Sequence, residues 1–165
     1  PAPVPVTVTP PPATSGNGGG ANSGSGGATA GGGTVTPPTS TAPNARTWRV
    51  AGSYTSMYGL ASDNYRGLGY ADNNDYLAYK LDFGTGIKNF YAGIAAVFSG
   101  GTIEIHIGSV SGTLAGTLHV GVTGAWNHYT TQSAAVSGLT GVQTVYLVFK
   151  GPRPGIANIS CLAFA

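Results

Sequence analysis

The chain has 165 residues with a formal net charge of +2, only 7% charged residues and a single cysteine, Cys161. So even a balance offers no electrostatic footprint for nucleic acid or an anionic membrane surface, and one cysteine allows no internal disulfide. No run of about eighteen apolar residues exists from which a membrane-spanning helix could be built.

Residues 1–45 are almost entirely Pro, Gly, Thr, Ser, Ala, Asn and Val, and cannot supply a core. The stretch divides into Pro1–Pro12, a Gly/Ser/Asn segment Ser15–Gly33 and a second Thr/Pro segment Thr34–Pro43. Proline-rich ends favour extended polyproline II and a glycine-rich centre favours flexible coil, so the expectation is a disordered linker. Thr and Ser beside Pro also fit an O-glycosylated stalk. The chain begins at Pro1 with neither an initiator Met nor a signal segment, and is read as a piece of a longer, multi-module protein.

From residue 46 to 165 the composition changes to regularly spaced Val, Ile, Leu, Phe and Tyr, enough for one domain with one core. Ser53–Asp75 alternates weakly and is rich in Tyr, Asn, Asp and Gly, so it reads as a long surface connection. Strands are predicted at Tyr76–Phe83, Phe90–Val97, Thr102–Ile107, Thr113–Val120, Asn127–Ala134, Thr144–Phe149 and Asn158–Phe164. The clearest is Thr102–Ile107, which sets three Ile on one face and Thr, Glu and His on the other. Turn clusters such as Ser99-Gly100-Gly101 and Gly151-Pro152-Arg153-Pro154-Gly155 separate them. The fold class is all-β, an antiparallel β-sandwich.

Catalytic chemistry finds little to work with. The carboxylates of the chain are Asp63, Asp72, Asp75, Asp82 and Glu104, a thin choice for glycoside hydrolysis, which needs two of them facing across a bond. Asp72 and Asp75 bracket Asn73-Asn74 and read as turn residues that bond the local backbone. His106, His119 and His128 form no short ligand pair, no Gly-x-Ser-x-Gly elbow is present, and Cys161 reads as a small core residue. An enzyme is therefore not expected. What remains is a set of aromatics in polar settings, Tyr65, Tyr70 and Trp126, whose flat faces suit either sugar rings or a simple capping of the sandwich edge.

Several short motifs carry a resemblance. Tyr54-Thr55-Ser56-Met57, Gly69-Tyr70-Ala71-Asp72-Asn73-Asn74-Asp75-Tyr76, Gly100–Ile105, Gly112-Thr113-Leu114, Gly124-Ala125-Trp126, Val136-Ser137-Gly138 and Val145–Gly151 follow one another in the order seen in family 6 carbohydrate-binding modules. The chain resembles that family over nearly all of residues 49–164. The resemblance implies a jelly-roll-like sandwich whose loop-end cleft holds a sugar between two rings, here Tyr70 and Trp126, with the amide of Asn158 bonding it and offering both donor and acceptor. Asn158-Ile159-Ser160 is also a glycosylation sequon in form and is read as incidental. Where the family carries acidic or amide calcium ligands, this chain has Val50, Gly52 and Ser160, so a structural calcium is expected to be lost or very weak and no other cofactor is expected.

The implied function is a non-catalytic polysaccharide- or oligosaccharide-binding module. It would target a larger secreted protein, such as a glycoside hydrolase, to plant or algal cell-wall glycan of the xylan, β-glucan or agarose class. The alternative is a structural extracellular or cell-wall fibre subunit that uses the same fold. Expected partners are the glycan and other modules of the same polypeptide, with no nucleic acid and no membrane, in an extracellular setting.

Overall fold

The computed structural model describes residues 40–165. The expected linker therefore lies outside the described residues except for its last few positions. Those are already anchored: Pro43 O accepts from Asp82 N, Ala45 N donates to Asp82 O, and Ala45 is fully buried. The polar tract thus runs into the fold through backbone pairing, which needs no apolar side chain.

Eleven strands follow in order: β1 (Arg49–Val50), β2 (Ser56–Tyr58), β3 (Ala61–Ser62), β4 (Leu68–Gly69), β5 (Tyr76–Asp82), β6 (Asn89–Ala95), β7 (Thr102–Ile107), β8 (Thr113–His119), β9 (Thr130–Ala135), β10 (Val142–Lys150) and β11 (Asn158–Phe164). A short 3₁₀ turn, Ala51–Ser53, follows β1. One sheet has the order β2-β5-β10-β7-β8, the other β3-β4-β11-β6-β9 with β1 also paired to β11, and every strand pairing is antiparallel. The expected jelly-roll-like antiparallel β-sandwich is the fold the chain adopts. Ser53–Asp75 departs from its expected form as a plain connection, because β2, β3 and β4 lie inside it. These strands are only two or three residues long and mostly exposed, so they leave almost no alternation for a sequence reading to find.

Period-two patterning explains which faces close on each other. Leu77, Tyr79 and Leu81 of β5, Ile103 and Ile105 of β7, and Val145, Leu147 and Phe149 of β10 are buried from one sheet. Phe90, Ala92 and Ile94 of β6 with Leu162 and Phe164 of β11 answer from the other. Phe164 is the hinge of the packing, with ring centroids 5.0 Å from both Phe83 and Phe90. Burying a side chain of this size contributes about 1.5–3 kcal/mol. Tyr79 keeps its hydroxyl satisfied in that core by donating to Ala51 O at 2.6 Å, and burial pushes its phenol well above the usual value.

Cys161 differs from expectation in being half-buried rather than a core residue. The register of β11 against β6 shifts between Ile159 and Cys161, leaving Ser160 as the extra residue of a bulge.

Candidate functional site

The loop end of the sandwich holds a cleft of about 360 Å³, lined by Asp63, Tyr65, Tyr70, Trp126, Gly155 and Asn158. The three residues singled out by resemblance, Tyr70, Trp126 and Asn158, therefore meet in one concavity although they come from separate stretches of chain. A larger hollow of about 630 Å³ lies elsewhere, between Pro43, Arg49, Tyr79 and Lys80, and brings together none of these rings.

Each ring is set by its own local geometry. Tyr70 follows β4 with φ 61, the left-handed region that a non-glycine residue rarely adopts, and its ring is 63% exposed. The loop after it is tied down by Ile156 N donating to Ala71 O at 2.7 Å and Gly155 N donating to Asp72 Oδ1 at 3.0 Å. Trp126 is half-buried and meets Phe98 edge-on, with centroids 5.9 Å apart and planes at 74°, while the Arg153 guanidinium covers the Phe98 ring at 5.1 Å. Gly155 (φ 69) passes under the indole so closely that a Cβ there would lie 3.4 Å from Cη2 of Trp126.

Behind the rings is a polar network that the sequence reading misses. Asp63 is a buried carboxylate. Its Oδ1 accepts from the backbone N–H groups of Tyr65 at 2.8 Å, Arg66 at 3.1 Å and Gly67 at 3.0 Å. Its Oδ2 accepts from the Tyr129 hydroxyl and from Asn158 Nδ2 at 3.4 Å. Asn158 Nδ2 also donates to Trp126 O at 3.0 Å, so both amide hydrogens are engaged within the protein and Oδ1 remains as its open acceptor. Because both neighbours of Nδ2 can only accept, the orientation of the amide is determined. The expectation that Asn158 offers a ligand both donor and acceptor narrows to acceptor. Gly69 lies against this amide, and a Cβ at position 69 would collide with Asn158 Oδ1. Asn158 is buried, so the sequon it begins is closed to modification in the folded domain.

Asp72 and Asp75 are turn residues as their spacing implies: Asp75 Oδ2 accepts from Asp72 N at 2.7 Å, and Asp75 N donates to Asp72 O. His106 is half-buried and held between Glu104 Oε2 at 3.0 Å and Gly112 O at 2.9 Å, while His119 is exposed. Among the described residues no three His, Cys, Asp or Glu side chains come together around a possible metal position. At the three positions where the resemblance implies calcium ligands, Val50 and Gly52 bring no side-chain oxygen and the Ser160 hydroxyl donates to Gly93 O at 3.3 Å. Calcium takes six to eight oxygens, several from carboxylates, and this donor set does not fit it.

Comparison with known proteins shows the family and the fold. The sequence profile described as carbohydrate binding module (family 6) matches residues 45–165. Endo-1,4-beta-xylanase A of Thermoclostridium stercorarium is 44% identical over 91 residues, covering 54% of this chain and 18% of that enzyme. A solved family 6 module of Clostridium cellulolyticum in complex with xylose superposes with a TM-score of 0.71 at 38% identity, over 74% of this chain and 98% of that one. A β-1,3-glucan-binding module of Bacillus halodurans gives 0.69 at 30% identity, over 74% and 98%.

Proposed function

The chain belongs to the family 6 carbohydrate-binding modules, and from that premise we propose that its loop-end cleft holds a xylan chain by stacking a sugar ring on Tyr70 and Trp126. The chain is a non-catalytic carbohydrate-binding module. It spans less than a fifth of the curated xylanase it matches. The module's place beside a glycoside hydrolase in a secreted polypeptide, and its delivery of that enzyme to plant or algal cell wall, belong to the same proposal.

The observation that carries the reading is the convergence of two aromatic rings and an oriented amide on one cleft. Stacking suits a pyranose because its C–H face is apolar, whereas its rim of hydroxyls needs directed partners. Asn158 Oδ1 accepts one of those hydroxyls, and Asp63 holds the amide so that little orientation is lost on binding. Xylan is favoured over β-1,3-glucan because both the xylanase and the xylose-bound module are more similar to this chain than the glucan-binding module is. Affinity at such a cleft falls between about micromolar and about millimolar dissociation constants, since many hydrated hydroxyls must be partly stripped.

Affinity gel electrophoresis against xylan, β-1,3-glucan, a soluble cellulose derivative and agarose tests the reading, with Trp126→Ala run alongside. Retardation on xylan that vanishes in Trp126→Ala is expected. Retardation that survives the substitution sinks the cleft, and no retardation on any of the four polymers favours a structural extracellular role.

A further inference from the structure

A second hollow of about 580 Å³ lies against the cleft and shares Tyr65 with it. The same three stretches of chain line both, with neighbouring residues serving different sides. Asp63, Trp126 and Asn158 line the cleft, whereas Asn64 with Arg66, Asn127 with His128, and Ser160 line the hollow. Asn64 itself has φ 61, in the left-handed region.

The chemistry of the two spaces differs. Both spaces have aromatic walls, but beside Tyr65 and Tyr129 the hollow presents a guanidinium, an imidazole, two primary amides and the Ser160 hydroxyl, and no carboxylate, with the Tyr129 hydroxyl already given to Asp63. The Arg66 side chain is exposed, and the one salt bridge among the described residues joins His106 to Glu104, so Arg66 has no carboxylate bound to it. The nearest acid in sequence, Asp63, has both oxygens occupied by five donors of the protein. His128 is oriented by Nδ1 donating to Thr123 O at 2.9 Å, which leaves Nε2 free. Arg66 also lines a third hollow containing Val50 and Gly52, so one positively charged side chain borders Val50, Gly52 and Ser160.

We propose that this hollow is a subsite for a carboxylate-bearing sugar, a hexuronate branch of the same polysaccharide whose main chain occupies the Tyr70–Trp126 cleft. The inference rests on the reading of that cleft as the sugar site. Tyr65, 63% exposed between the two spaces, supplies the shared wall across which main chain and branch diverge. Arg66 forms a charge-assisted pair with the carboxylate, and Asn64 and Asn127 supply donors and acceptors for the branch hydroxyls. A neutral branch would gain only the amide contacts.

Isothermal titration of the full chain with xylotetraose, and with the same tetraose carrying one glucuronosyl branch, tests this. At low ionic strength the branched sugar is expected to bind about three- to fivefold tighter, a modest gain because the pair is solvent-exposed. In 1 M NaCl the preference should shrink toward unity. Arg66→Ala should bind both sugars equally while keeping the wild-type constant for the unbranched one, which also shows that the variant is folded. Equal wild-type affinity for the two sugars, or a preference that persists in Arg66→Ala, overturns the subsite while leaving the cleft intact. Failure of the wild-type chain to bind either sugar overturns the cleft, and the subsite with it.

Discussion

Tyr70 at the loop end and Tyr58 on the outer face of the five-stranded sheet are almost equally exposed, at 63% and 65%. Exposure therefore does not distinguish them, but their surroundings do. Tyr58 stacks on Tyr76 with centroids 6.2 Å apart and planes at 18°, and Tyr76 in turn packs on Tyr146 at 5.4 Å. The rings of that cluster use one another as partners, on an open strand surface. Around Tyr70 no aromatic pair involves the ring itself, and the cleft behind it holds a carboxylate that accepts from five protein donors, the Asn158 amide among them. An exposed ring marks a sugar site where its face is free and an oriented polar group stands beside it; a self-stacked ladder satisfies much of its apolar area internally.

The largest way to break the contrast is to remove the support. Asp63→Ala leaves three backbone N–H groups, a tyrosine hydroxyl and an amide without their acceptor, and should lower unfolding free energy by about 3 kcal/mol in urea titrations. Loss of stability below about 1 kcal/mol would show that the network is not what holds the loop end together. The smallest effect concerns the cation positions. With Val50, Gly52 and Ser160 in place of oxygen-rich ligands, adding calcium or EDTA should move the thermal midpoint by less than about 1 °C. A calcium-dependent rise of several degrees would reveal a cation site built from groups outside this set.

Legibility in the sequence followed the strength of local patterning. Thr102–Ile107 and Asn158–Phe164 emerge with the bounds expected, because alternation or a bounded apolar run defines each over six or seven residues. β9 begins at Thr130 rather than Asn127, since Trp126–Tyr129 belongs to the turn that carries the cleft ring and the neighbouring hollow. β2, β3 and β4 were hidden because strands so short and polar are selected by pairing partners rather than by their own periodicity.

At the site, resemblance rather than pattern named Tyr70, Trp126 and Asn158. Asp63 escaped because a carboxylate followed by Asn-Tyr-Arg-Gly looks like any polar turn. The Asx position opening that turn was its one available signal, pointing to backbone bonds but not to Tyr129, 66 positions away. The direction of the Asn158 amide was equally out of reach, because it depends on Trp126 O and Asp63 Oδ2 converging from two other loops.

The most direct test of the account is isothermal titration with xylotriose of two single variants, Tyr70→Ala and Tyr58→Ala, beside the parent chain. Tyr70→Ala should lose about 2 kcal/mol or more of binding, at least about thirtyfold in affinity, while Tyr58→Ala stays within about 0.5 kcal/mol of the parent. The opposite pattern, binding intact without Tyr70 and abolished without Tyr58, would place the sugar on the sheet face and contradict the loop-end cleft.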